Sequence, residues 1–248
     1  MNQQPVVSIS IVSHQQGALV AALLPDIAAH CTLPLEVILT LNMPETLPFD
    51  VASFPFPVKV VNNAAPKGFG ANHNAAFGLA GAAHFCVLNP DIRFAQDPLP
   101  ALIELLADQS VGVAAPLIVN PAGGIEDNAR RFPTPLSIFK KAWSRPTVPD
   151  YAVGDALFYP DWIAGMFMLW RTDVFRQLGG FDEKFFLYYE DVDLCWRLQR
   201  RQLRAALLPT VRVTHDARRS SHRNLRYLMW HSKSMLRFFL KTLFRKIR

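Results

Sequence analysis

The first 41 residues constrain the fold most. Two runs rich in β-branched and aliphatic residues, 6–13 (VVSISIVS) and 35–41 (LEVILTL), flank a helical pattern from Leu19 to Ile27. Strand, helix, strand in that order opens a parallel sheet. The alternation continues with a strand at Val58–Val61, a glycine turn, a helix over about 71–82, the apolar run Phe85–Leu88, a helix from Pro98 through Leu106 and a strand at Val111–Val119. The stretch 120–160 has no clear period and reads as a long functional loop or lid. Beyond it lie the apolar run Ile163–Trp170, a helix start at Thr172, a helix from Glu190 to Arg201 and a strand at Ala205–Thr214. The expected fold is α/β, one domain over 1–221 with a mostly parallel, doubly wound sheet and helices on both faces. Residues 222–248 form a basic helical tail.

Charge separates tail from body. Residues 197–248 carry 15 Lys and Arg against one acid, Asp216, a net +14, whereas the remainder has 11 Lys and Arg against 19 Asp and Glu. A basic end on an acidic body points to an anionic partner. Cys31, Cys86 and Cys195 are odd in number and lack CxxC spacing, so neither a disulfide framework nor a cysteine zinc site is expected, and a reducing compartment fits. No leader pattern and no long uninterrupted apolar run occurs, so the chain reads as neither secreted by that route nor membrane-spanning.

Four segments carry candidate chemistry. Asn89-Pro90-Asp91 follows an apolar strand, and in open α/β sheets ligands bind beyond the carboxyl ends of strands. Asp91 there either closes a turn or offers oxygen to a divalent cation. Lys67-Gly68-Phe69-Gly70 enters a helix whose N-terminus could take an anion, while Asn72 and Asn74 cap it or reach a ligand. It is neither a dinucleotide fingerprint, since position 73 is His73, nor a Walker loop. In Gly179-Gly180-Phe181-Asp182-Glu183-Lys184-Phe185-Phe186-Leu187-Tyr188-Tyr189-Glu190-Asp191-Val192-Asp193, aromatics lead into three crowded carboxylates. An aromatic wall raises a carboxylate's proton affinity toward the range of a general base. His215 ends a strand and is followed by Arg218 and Arg219, a place for a hydrogen-bonded histidine or a metal ligand.

Together these segments resemble the family-2 glycosyltransferases of GT-A fold, in particular the rhamnosyltransferase-like branch that builds bacterial surface polysaccharides. The resemblance runs from about residue 6 to about 240 and is supported by Gly68-Phe69-Gly70-x-x-His73-Asn74, Arg130-Arg131-Phe132-Pro133 and Trp162-x-x-Gly165. It implies an inverting, metal-dependent transfer with Asp191 as base, and Asp91 with His215 holding Mg²⁺ or Mn²⁺ on the donor diphosphate. It further implies donor contacts from Ser13, Asn42, Gly68, Gly70, Asn74, Asn89 and Asp91, and acceptor contacts from Trp162, Gly165, Glu190 and Asp193. The implied donor is a dTDP- or UDP-linked sugar and the acceptor a glycan or lipid-linked hydroxyl, at the cytoplasmic face of the plasma membrane. Two positions depart from the family: Ser13-His14-Gln15 stands where Ser-Tyr-Asn is usual, and Leu41-Asn42 where Asp-Asn is usual. The acid missing at Leu41 is an ordinary nucleoside contact, for which Asp50 is a candidate substitute.

The tail repeats apolar residues at Leu225, Leu228, Met229, Met235, Leu236, Phe239, Leu243 and Ile247, with Arg226, Lys233, Arg237, Lys241 and Arg248 mainly on another side. Such a basic amphipathic helix either packs on the body or lies on an anionic membrane surface. Nucleic acid is disfavoured, because the cations share a helix with a large apolar stripe rather than a stacking sheet. A nucleotidyltransferase would carry a glycine-rich basic loop where His14-Gln15-Gln16-Gly17 stands. A binding protein that has lost its donor site is the other alternative, raised by Leu41.

Overall fold

The computed structural model describes residues 4–138, 149–216 and 225–245. The first half alternates as β1 (Val7–Ser13), α1 (Gly17–His30), β2 (Leu35–Leu41), β3 (Val58–Asn62), α2 (Phe69–Phe77), β4 (His84–Leu88), β5 (Ile92–Arg93), α3 (Leu99–Leu106) and β6 (Val111–Val119). It continues with β7 (Ala129–Arg130), β8 (Trp162–Ile163), β9 (Phe167–Arg171), α4 (Thr172–Leu178), α5 (Glu190–Gln199), β10 (Arg204–His215) and α6 (Leu225–Arg245).

One sheet takes the order β3-β2-β1-β4-β9-β6-β10-β5. Six of its eight strands run the same way, β9 and β5 opposing them. Strands β2 and β6 are buried along their whole length, which explains their uninterrupted apolar sequence: a strand covered on both faces has no solvent side to alternate toward. On one face Val20, Leu23, Leu24 and Ile27 of α1 and Leu99, Leu102 and Leu106 of α3 pack with Ile9, Ile11, Val37 and Leu39. On the other, Val174 and Phe175 of α4 and Leu194, Cys195 and Leu198 of α5 pack on Phe85, Val87, Met168 and Trp170. The doubly wound reading holds.

Three boundaries differ from the sequence reading. The run Ile163–Trp170 is two strands, because Gly165 breaks it: β8 pairs with β7 in a small second sheet while β9 enters the main one antiparallel to β4. The helix expected over 71–82 begins at Phe69 and stops at Phe77 before Gly78. Within 120–160, β7 pairs with β8, and Val119 bridges Ile125 to close a short hairpin.

The tail helix α6 docks on the body. Phe238 is buried against Phe185, Tyr189 and Val192, with Met235 and Phe239 beside it. Lys241 binds Asp182 and Asp193, both at 2.7 Å. The opposite face stays in solvent: Leu225, Leu236 and Leu243 are 82%, 59% and 59% exposed, and Met229 and Leu240 are exposed with them. The single stripe read from the sequence is thus two apolar faces. Arg218, Arg219, Ile247, Arg248 and the expected boundary at 221 and 222 lie outside the described residues.

Candidate active site

Two groups of side chains assemble beyond the strand ends. The first lies where β4 and β10 finish. Chain pairing between Ile92 and His215 closes the edge of the sheet, and the Asp216 N–H donates to the Asp91 carbonyl at 2.9 Å. This sets His215 Nε2 3.1 Å from Asp91 Oδ2, and its Nδ1 2.6 Å from Oε2 of Glu126. Burial acts to lower the proton affinity of His215, but the hydrogen bonds and charges of Asp91 and Glu126 outweigh it and raise the pKa to about 9. Glu126 stands outside every motif noted in the sequence; 89 residues separate it from the histidine it touches.

Among the described residues no three His, Cys, Asp or Glu side chains gather as a complete cation centre. The donor set of Asp91 and His215 nevertheless fits a divalent cation that takes its remaining ligands from phosphate and water. Among the described residues Asp91 Oδ1 is buried without a hydrogen-bond partner, the kind of orphaned oxygen a cation satisfies.

The second group surrounds Glu190 and Asp191 at the start of α5. A cavity of about 1010 Å³ is lined by Arg130, Arg131, Phe132, Trp162, Tyr188, Tyr189, Glu190 and Asp191, and on its far side by Tyr227, Leu228 and His231 of α6. Asp191 Oδ2 accepts the Gly165 N–H at 3.0 Å, and Oδ1 accepts its neighbour Val192 N–H at 2.8 Å. Burial raises the proton affinity of Asp191, opposed by those N–H donors and by Arg130. Burial raises that of Glu190 too, reinforced by the charge of Asp191, and Glu190 Oε2 is buried without a partner. Burial and the charge of Asp191 favour the protonated form of Glu190, and hydrogen bonds to the backbone at Glu190 and Tyr188 act the other way.

The turn presenting this pair is strained. Tyr188 and Tyr189 have φ of 70° and 69°, conformations that persist in bulky residues only when the surroundings over-determine them. Those surroundings come largely from α6. His231 packs edge-on to both tyrosines, Trp230 lies against Phe186, and Ser234 Oγ donates to the Leu187 carbonyl at 2.9 Å.

Gly165 and Met166, between β8 and β9, connect the two groups. Gly165 reaches Asp191, while the Asn89 N–H donates to the Met166 carbonyl at 2.9 Å.

Several residues expected at a ligand hold the protein to itself. Asp193 is fully buried and bonded to Arg197 and Lys241, away from the cavity. Asn74 grips the Gly-Gly-Phe-Asp segment, accepting the Phe181 N–H and donating to the Phe181 carbonyl, both at 2.9 Å. A Cβ on Gly68 would stand 2.5 Å from the Phe186 carbonyl oxygen and one on Gly70 2.6 Å from Phe181 Cβ, so both glycines permit close approach of α2 to that segment. Buried Ser13 accepts the Gln16 N–H on Oγ. Asn42 accepts from the Lys67 N–H and Asn63 Nδ2, and donates to the Lys67 carbonyl. Trp162 lines the cavity beneath the Arg130 guanidinium and donates Nε1–H to the Arg131 carbonyl. Asp50 caps the turn Val51–Ser53; a carboxylate that does reach the loop after β1 is Glu45, which accepts the Gln15 and Gly17 N–H groups at the head of α1.

No protein-family model matches the chain. Among characterised proteins, rhamnosyltransferase WbbL of Escherichia coli K12 is 30% identical over 189 residues, 70% of this chain and 70% of WbbL. The chain belongs to the rhamnosyltransferase-like family-2 glycosyltransferases. A second relative, the N-acetylglucosaminyl-diphospho-decaprenol L-rhamnosyltransferase of Mycobacterium tuberculosis, is 30% identical over 161 residues, and the match covers 60% of this chain and 52% of that protein. The chain thus spans about half the length of that relative. Solved structures agree on the GT-A fold. The mannosyltransferase PcManGT of Pyrobaculum calidifontis, in complex with GDP-Man and Mn²⁺, superposes with TM-score 0.66 at 17% identity over 98% of this chain and 65% of its own. GalNAc-T7 with UDP, GalNAc and Mn²⁺ gives TM-score 0.66 at 15% identity over 88% and 45%.

Proposed function

We propose that this chain is an inverting glycosyltransferase that moves a sugar, rhamnose by analogy with its relatives, from a dTDP- or UDP-linked donor to a hydroxyl of a lipid-linked glycan during surface-polysaccharide synthesis. The observation that carries this reading is Asp191, a hydrogen-bonded carboxylate in the wall of an aromatic cavity, next to Glu190, whose proton affinity burial raises. An acceptor hydroxyl bound there hydrogen-bonds to Asp191. Its oxygen attacks the anomeric carbon as the bond to the diphosphate oxygen breaks on the opposite face. The hydroxyl proton passes to Asp191, and the nucleoside diphosphate leaves with the bonding electrons. A single displacement inverts the anomeric centre.

Asp91 and His215 would hold a divalent cation, Mg²⁺ or Mn²⁺. When bound it neutralises the departing diphosphate. Gly68, Gly70, Asn89, Ser13 and Asn42 shape the donor side through backbone position, while Trp162, Gly165 and Glu190 face the acceptor.

The tail supports a lipid-linked acceptor. Among the described residues no helix is long and apolar enough to cross a membrane. The outward stripe of α6, flanked by Arg226 and Lys233, suits the headgroup boundary of an anionic bilayer at the inner face of the plasma membrane. The inner face of the same helix walls the cavity, so docking would bring the cavity to a lipid-linked acceptor.

Calorimetry with UDP, dTDP and GDP in the presence of Mn²⁺ or Mg²⁺, followed by NMR of the product's anomeric centre, tests the proposal. Binding of one base and an inverted product are expected. Failure of all three nucleotides to bind with either cation would overturn it and favour a protein that has lost its donor site, the alternative raised by Leu41.

A further inference from the structure

Among the described residues the Glu126 side chain meets one partner, His215. Its backbone is fixed before the side chain is placed. The hairpin after β6 is closed by the Asn120 N–H to the Gly124 carbonyl at 2.8 Å, and by Asn120 Oδ1 accepting from Ala122 and Gly124. The Glu126 N–H then donates to the Ile118 carbonyl at 2.9 Å, and Asn128 Nδ2 ties the returning strand to the Pro116 carbonyl at 3.0 Å. Strand β10 runs beside β6 with Thr214 opposite Val119, so the hairpin aims its carboxylate at the next residue, His215.

An imidazole that binds a cation through Nε2 must carry its proton on Nδ1, and an oxygen acceptor at Nδ1 selects that tautomer and fixes the ring plane. Glu126 Oε2 at 2.6 Å from Nδ1 is that acceptor, leaving Nε2 directed to Asp91. We infer that Glu126 is a positioning residue: from its rigid hairpin it orients His215 so that Nε2 and the Asp91 carboxylate converge on one divalent cation. This rests on the reading of Asp91 and His215 as the cation's protein ligands. Glu126 itself stays on the far side of the ring and does not enter the coordination sphere.

The experiment titrates Mn²⁺ by electron paramagnetic resonance into the full chain saturated with the nucleoside diphosphate that binds it. It compares wild type, Glu126→Ala, Glu126→Gln, His215→Ala and the double variant Glu126→Ala/His215→Ala, each checked by thermal melting. Glu126→Ala is expected to weaken Mn²⁺ by about 10–100-fold, the usual effect of removing a partner behind a metal-bound histidine. Glu126→Gln, whose amide oxygen accepts the same Nδ1–H, should bind close to wild type. The double variant should be no weaker than His215→Ala, because Glu126 acts through that ring.

Wild-type affinity in Glu126→Ala while His215→Ala is weakened overturns the inference and spares the cation site. Additive losses in the double variant, or a loss in Glu126→Gln as large as in Glu126→Ala, overturn it as well, since either shows an effect of charge or fold rather than orientation. Absence of Mn²⁺ binding in a folded wild type that still binds nucleotide, or unchanged binding in His215→Ala, removes the cation reading itself and the inference with it.

Discussion

Replacing Asp191 by Asn tests the division of labour within the carboxylate pair. Its oxygens accept the Gly165 and Val192 N–H groups at 3.0 and 2.8 Å. Asparagine keeps one acceptor and loses the other, a stability cost of about 1 kcal/mol, partly offset because a buried charge disappears. The variant should fold and bind donor. Its turnover should fall about 10²–10⁴-fold, which is about 2.7–5.5 kcal/mol on the barrier. Glu190→Gln replaces a group whose protonated form burial already favours, so it should lose less than about tenfold by the same reasoning. Burial also raises Asp191, and a base works only when ionised. Turnover should therefore rise with pH through a midpoint above the usual carboxylate range, and that limb should vanish in Asp191→Asn. Nucleotide release measured across pH in all three proteins is the assay. Near wild-type turnover in Asp191→Asn would refute the assignment, and a loss confined to Glu190→Gln would exchange the two roles.

Three other outcomes are expected. Gly68→Ala forces a Cβ to within 2.5 Å of the Phe186 carbonyl and should destabilise by about 1–3 kcal/mol in urea titration; no change would mean that α2 and the 181–186 segment do not meet as described. His215 has a folded pKa raised to about 9, so its stabilising contribution is complete below about 6.5 and lost as pH rises to about 9. Melting of the cation-free protein should fall across that window more steeply than His215→Gln, a comparison that cancels Glu190, whose raised proton affinity acts in the same direction; parallel curves would contradict it. Leu236→Glu/Leu240→Glu, altering two exposed side chains, should leave melting unchanged and abolish sedimentation with anionic vesicles, and undiminished sedimentation would remove the outer stripe as the docking face.

The fold was legible because its strongest signals are local. Runs such as LEVILTL at β2 are apolar throughout since both faces are covered, and a residue just past such a run, like Asp91 or His215, stands at the ligand edge of the sheet by topology alone. What was hidden depends on distant partners. Gly165 splits an apolar run because its N–H meets Asp191, 26 positions on. Asp193 reads as a third site carboxylate from spacing, yet α5 turns it inward to Arg197 and Lys241. Helical period placed a stripe on the tail but could not separate Met235 and Phe239, which pack inward, from Leu225, Leu236 and Leu243, which do not, and it left out Phe238, which is buried. Glu126 carries no local signal; only the adjacency of β6 and β10 reveals its use.

The tail joins these levels. A turn with two consecutive tyrosines at positive φ costs on the order of 1–3 kcal/mol for each residue, and the chain from 185 to 189 could not offset that alone. Helix α6 contacts each of these residues: Arg237 over Phe185, Trp230 at Phe186, Ser234 on the Leu187 carbonyl, and His231 at both tyrosines. Lys241 anchors it to Asp182 before the turn and Asp193 after it. Asp193 is fully buried, so removing the lysine would leave its Oδ1 without an ion partner while Arg197 keeps its salt bridge to Oδ2. A basic, apolar tail that looks like an appendage in the sequence is therefore part of the catalytic body. The turn that leads into Asp191 is packed by a helix that begins 34 positions after it, whatever the outer face of that helix meets.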